Sequence, residues 1–238
     1  MKLGYSNRRN DAMTPTEVLV ILVVLAVLIA LIDFGPNAVA RRKARQIQCV
    51  SNLREIEIAF KIWDGDAMDG YPTQYSVKFG GALELVATGN IAAVFQVMSN
   101  ELKTAGPRIL ICPADTNHIA ATNWTTDFGN NDVSYFVGLD ATEANPSSVM
   151  MGDDNFEING APVKSGVIQL TTNTPIAWTG ERHRYAGNIA LTDGEVQMTT
   201  SSGLTNAIIR QGEVFIYKHI PDSNSNIYST NRFRIAIP

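Results

Sequence analysis

One carboxylate, two cysteines and a histidine upstream of an Asp-Gly pair are the side chains whose setting calls for a chemical explanation. Glu17 stands directly before fifteen consecutive apolar residues, Val18 to Ile32. A carboxylate in such a segment costs about 2.5–3.5 kcal/mol if carried to the middle of a bilayer, so it needs a partner or a task. Cys49 and Cys112 are the two cysteines of the chain. They are too few for a disulfide scaffold and form no CxxC, which excludes a zinc ribbon and a dithiol redox motif. They are read either as one bridge, permitted in an oxidising compartment, or as two buried thiols packed as small hydrophobes. A bridge would close a loop of about 64 residues and stabilise the fold by about 4 kcal/mol in the chain-entropy model. His183 precedes Asp193-Gly194 with nine residues between, Gly187 and Asn188 among them. His183, with Asn188 and Gly187, is expected to hold the preceding loop through side-chain-to-backbone hydrogen bonds. The competing reading joins His183 to Asp153, Asp154 or Asp193 as metal ligands. The first is preferred, so no metal is assigned.

Motifs for catalysis are missing from the sequence. No P-loop, dinucleotide fingerprint, HExxH or GxSxG occurs, and His118, His183 and His219 are scattered. No enzymatic activity and no cofactor are expected. Asp64, Asp66, Asp69 and Gly70 have only part of a calcium-loop spacing and lack the closing glutamate. Nineteen basic against 23 acidic residues give a net charge of -4, so no global basic field attracts nucleic acid. With 45% hydrophobic and 18% charged residues the chain has the composition of one globular domain with a small accessory element.

The elements that must position these residues follow from periodicity. Met13 to Ile32 covers twenty residues, a helix of about 30 Å, the thickness of a hydrocarbon core. Lys2, Arg8 and Arg9 before it and Arg41, Arg42, Lys43 and Arg45 after it leave the orientation open. Gly35-Pro36 should interrupt the helical ladder, giving a kink near Pro36. A second, amphipathic helix is expected over 37–63, with Val50, Leu53, Ile56, Phe60 and Trp63 on one face. Helices are expected over 81–87 and 91–102, with a further helical turn or two over 204–210. Strands are expected over 108–112, 133–139, 149–151, 167–171, 187–192, 195–198 and 233–237. Asp193-Gly194 is expected to be a two-residue hairpin turn with positive φ. A long N-terminal helix packed on a mainly antiparallel sheet makes the class α+β.

Two stretches carry a resemblance. Ala12-Met13-Thr14-Pro15-Thr16-Glu17, followed by the apolar run, resembles the class III signal of type IV pilins and type II secretion pseudopilins. His183 to Gly194 (HRYAGNIALTDG) resembles the H-X9-DG signature of pilin-like proteins abundant in planctomycetes and verrucomicrobia. The likeness extends through Arg41–Ile56, Gly80–Leu102, Ile111–Thr116 and Ser134–Ala141. It departs where the family has Gly and Phe around the cut, and where an Arg would be expected within Gly152-Asp153-Asp154-Asn155. The resemblance implies a leader over 1–12, cut by a prepilin peptidase between Ala12 and Met13 with methylation of the new N-terminus. It further implies a pilin-type helix over 13–66, membrane-spanning in its first half, and a head domain over 67–238. Glu17 would pair with the α-amino group of Met13 in a neighbouring subunit, and Glu17→Ala should then spare membrane insertion and impair assembly. The implied function is a structural subunit of a type IV pilus-like or pseudopilus filament. Its implied partners are copies of itself or other pilin-like subunits and the assembly machinery. The implied location is the inner membrane, single-pass with an extracytoplasmic head, and an extracellular filament after assembly. The alternative is a secreted or membrane-anchored binding domain that uses 1–40 only as signal peptide or anchor, with Ala38-Val39-Ala40 as the cleavage site.

Overall fold

The computed structural model describes residues 13–33, 37–66, 70–124, 127–217 and 232–238. The leader with Ala12, the kink expected near Pro36, Asp69 and His219 lie outside these residues. The chain divides into two compact units, residues 1–43 and 44–238.

The first unit contains helix α1 (Pro15–Asp33). Its start is set by a capping box. Thr14 Oγ1 accepts from Glu17 N–H at 3.4 Å, and Glu17 Oε2 accepts from Thr14 N–H at 2.7 Å. Pro15, at the first helical position, gives up no hydrogen bond there. Beyond the cap the helix has no polar face, and Val18 to Leu25 and Val27 to Ile29 are exposed on every side. Among the described residues, no helix is long and apolar enough to cross a membrane.

Helix α2 (Asn37–Asp66) enters the second unit at Ala44. Cys49, Leu53, Ile56 and Phe60 recur at steps of four, three and four, and all are buried. This is the stripe that binds an amphipathic helix to a sheet. Ile47, Ile58 and Ile62 lie off that stripe and are exposed.

Among the described residues, nine strands follow: β1 (Tyr135–Gly138), β2 (Val149–Asp153), β3 (Phe156–Ile158), β4 (Ala161–Pro162), β5 (Gly166–Thr171), β6 (Ile176–Trp178), β7 (Ala186–Leu191), β8 (Val196–Thr200) and β9 (Arg232–Ile237). Six of them form one antiparallel sheet in the order β5-β9-β1-β2-β7-β8. The last strand therefore sits inside the sheet, between β5 and β1. The short strands β4-β3-β6 form a second antiparallel sheet.

Both faces of the large sheet are covered, and the two-residue period of a strand distributes its side chains between them. Tyr135, Val137, Ala190 and Ala236 join the core that includes Cys49, Leu53, Ile56 and Phe60 of α2. Phe136, Ile189, Leu191, Phe233, Ile235 and Ile237 join a second core with Phe156 and Trp178 of the small sheet. Helix α5 (Ser201–Tyr217) adds Leu204, Ala207 and Ile208 to that second core.

The α+β class with a mainly antiparallel sheet agrees with the sequence reading, and some local expectations are corrected. The apolar run 108–112 is not a strand, because Gly106 at φ 72° and Pro107 start a 3-10 turn over Pro107–Leu110. The helices expected over 81–87 and 91–102 are shorter, as α3 (Leu83–Ala87) and α4 (Ala92–Val97). Helix α5 is longer than the 204–210 expected.

Candidate functional site

Sheet register assembles a polar cluster under helix α2. Tyr135 of β1 pairs with Asp153 of β2, and the pairing of Gly152 with Ile189 brings Asp153 beside Asn188 of β7. Gly152 permits this closeness, since a Cβ there would lie 2.7 Å from the Asn188 carbonyl and 2.8 Å from the Phe136 ring. Asp153 is fully buried, and Asn188 supplies two donors to its Oδ2, the backbone N–H at 2.7 Å and Nδ2 at 2.8 Å.

Two cysteines and a histidine close over this carboxylate. Cys49, on the buried stripe of α2, lies with its Sγ 3.2 Å from Asp153 Oδ1, 3.5 Å from the Tyr135 hydroxyl and 3.4 Å from Asn188 Nδ2. Cys112 follows the 3-10 turn that replaces the expected strand, and its Sγ is 3.3 Å from His183 Nε2. His183 Nε2 is also 3.4 Å from Asp153 Oδ2, and the imidazole is 3% exposed. Arg184 and Tyr185, at φ 57° and 61°, turn the chain sharply from His183 into β7. Such conformations cost about 1–3 kcal/mol each and persist only where the surroundings enforce them.

The protons of this cluster are unevenly held. The hydrogen bond with Cys49 leads the forces that bring the Cys112 thiol down to about 6, with His183 adding to it against burial. The same bond, together with burial and the Asp153 charge, pushes the Cys49 thiol up. Burial opposes a charged His183 imidazole, but contact with Cys112 and the Asp153 charge outweigh it and raise its pKa.

The arrangement is a convergent one. In a nucleophile relay the attacking sulfur and the orienting carboxylate face opposite ring nitrogens of the histidine. Here Cys112 and Asp153 both face Nε2, and all four groups are buried. Cys49, Cys112, Asp153 and His183 each offer one ligand atom, and those atoms lie within 4.8 Å of one another.

A second buried cluster borders it. Arg182 bridges Asp115 at 2.6 Å and Asp154 at 2.5 Å, and donates to the Ser134 carbonyl at 3.0 Å. Asp115 Oδ2 also accepts from Ser134 Oγ, and His118 Nδ1 lies 2.7 Å from it. Burial pushes Asp154 up to about 6, against the pull of Arg182. The position where the resemblance led us to expect an Arg thus carries a carboxylate paired with Arg182.

The other residues singled out in the sequence fall into place locally. Gly187 lies under the buried Trp178 ring, where a Cβ would come within 2.5 Å of it. The connection between β7 and β8 is wider than the two-residue turn expected. It runs through Thr192–Glu195, closed by Leu191 N–H to the Glu195 carbonyl at 2.9 Å. Gly194 alone in it has positive φ, 92°, and Asp193 Oδ1 accepts from Glu195 N–H. Among the described residues, His183 makes no side-chain-to-backbone hydrogen bond. Its neighbours are a thiol and a carboxylate instead.

The sequence pairs the two cysteines with each other and joins His183 to Asp153, but nothing in it merges the two sets. Cys49 and Cys112 do converge in the structure, as free thiols. No protein-family model, curated protein or solved structure matches the chain.

Proposed function

We propose that this chain is a structural subunit of a type IV pilus-like or type II secretion pseudopilus filament. Its span, Met13 to Ile32, would lie in the inner membrane with the head domain outside the cytoplasm. The observation that carries this reading is helix α1, which between Val18 and Ile29 is apolar and exposed on every side and which bears a single acid in its first turn. Such a surface is stable only against lipid or other apolar helices, and packing between membrane helices supplies the second. Cleavage between Ala12 and Met13 would create an amine four residues before Glu17. In a low-dielectric setting that amine and the Glu17 carboxylate of a neighbour favour one axial register. A prepilin peptidase and an assembly machine are the partners this route requires. The reading assigns the chain no catalytic step.

Sequencing the mature N-terminus from producing cells tests the proposal, together with electron microscopy of sheared surface material. A start at Met13 and filaments containing the protein are expected. A start at Arg41 would make residues 1–40 a disposable signal peptide. A start at Met1 would make them an uncut anchor. Either of the last two overturns the reading.

A further inference from the structure

We infer that Cys49 Sγ, Cys112 Sγ, His183 Nε2 and Asp153 Oδ1 form a structural site for a zinc-class divalent cation. The site is independent of any filament.

Three observations carry it. The first is spacing. A tetrahedral ion with bonds of about 2.0–2.3 Å holds its ligand atoms about 3.3–3.8 Å apart. The structure places Cys49 Sγ 3.2 Å from Asp153 Oδ1 and Cys112 Sγ 3.3 Å from His183 Nε2, and one ligand atom from each of the four residues lies within 4.8 Å of the others. The second is the outer partners. Two Asn188 donors occupy Asp153 Oδ2, which leaves Oδ1 facing the cluster. The Tyr135 hydroxyl and Asn188 Nδ2 lie 3.5 and 3.4 Å from Cys49 Sγ, where both can donate to a thiolate ligand. The third is burial. Two thiols, a carboxylate and an imidazole are withdrawn from water together, and a doubly charged cation offsets the charge they carry when deprotonated. Both cysteines bind as thiolates, their protons passing to solvent. Two soft sulfurs with one nitrogen and one oxygen select zinc over calcium or magnesium.

The four ligands come from helix α2, the segment after the 3-10 turn at Pro107–Leu110, strand β2, and the loop entering β7. One ion would therefore tie the helix to the middle of the sheet.

The test uses the full chain in detergent, reduced, stripped by a chelator and titrated with cobalt(II) and then zinc(II). The expected result is one cobalt per chain, with sulfur-to-cobalt charge-transfer bands and the intense visible bands of a tetrahedral centre, bleached by one equivalent of zinc. Cys112→Ser should abolish the charge-transfer signature seen in the wild type or weaken it to a single-thiolate form. Asn188→Ala should keep the stoichiometry and lower affinity about 10–100-fold. The wild-type titration stands whether or not a variant folds. Three results overturn the inference: no tetrahedral thiolate spectrum from the wild type, a spectrum unchanged in a folded Cys112→Ser, or native chain from cells two hydrogens lighter through a Cys49–Cys112 disulfide.

Discussion

A methyl group on Gly187 would lie 2.5 Å from the Trp178 ring, and both sides of that contact belong to the packed interior. Gly187→Ala is therefore expected to lower the unfolding free energy by about 1–3 kcal/mol, read from denaturant melts. Wild-type stability in that variant would remove packing as the reason for this glycine. The Asp115 cluster predicts a pH dependence. Burial raises the Asp115 pKa, but His118, Arg182, Ser134 and Asn117 outweigh it and hold the carboxyl below its ordinary value of 3.8. The Asp115 hydrogen bond leads the forces that raise His118 above 6.5. The depressed acid stabilises the fold above 3.8, and that contribution is lost as pH falls through its folded value. The raised base stabilises below 6.5, and that contribution is lost as pH rises through its folded value. Asp115→Asn should therefore cost most stability between about pH 4 and 6.5 and less outside that window, measured by melts across pH. A pH-independent cost would refute the pairing. The sequence could flag Cys49 with Cys112 and His183 with Asp153 as two separate sets. It could not join them, because they stand 63, 41 and 30 positions apart and meet only through sheet register and helix docking.

At the scale of elements, Glu17 caps the first turn of α1, and the proposed assembly gives its charge a second, separable job. Glutamine fills the same place in a capping box, so Glu17→Gln keeps the hydrogen bond to Thr14 N–H and removes the charge. Filament yield is expected to fall while membrane extraction behaviour stays that of the wild type. Full assembly of this variant would show that the cap suffices. The elements legible in the sequence were those long enough to show a period. Helix α2 had its three-and-four stripe, and the six strands of the large sheet each had a run of apolar or alternating residues. Strands β3, β4 and β6 have three, two and three residues, too few for any period to show. The Thr14–Glu17 capping box is written in the sequence as Thr followed three positions later by Glu, a spacing that the adjacent apolar run overshadows. The run RILIC misled because its composition suits a strand, while the backbone is set by Gly106 and Pro107 before it.

Across the whole molecule, strand β9 holds the large sheet together. It pairs with β5 over six positions from Gly166 to Thr171 and with β1 at Val137 and Gly138. It also places Phe233, Ile235 and Ile237 in one core and Ala236 in the other. Removing 232–238 is expected to abolish cooperative thermal unfolding of the head domain, as followed by circular dichroism. A sharp melt in the truncated chain would show that β1 and β5 close without it. Because Arg232, the first residue of β9, lies 61 positions after Thr171, the last of β5, the β5 edge and one edge of β1 stay bare while that stretch is synthesised. Until β9 arrives, those edges lie open to proteases and to edge-to-edge clumping.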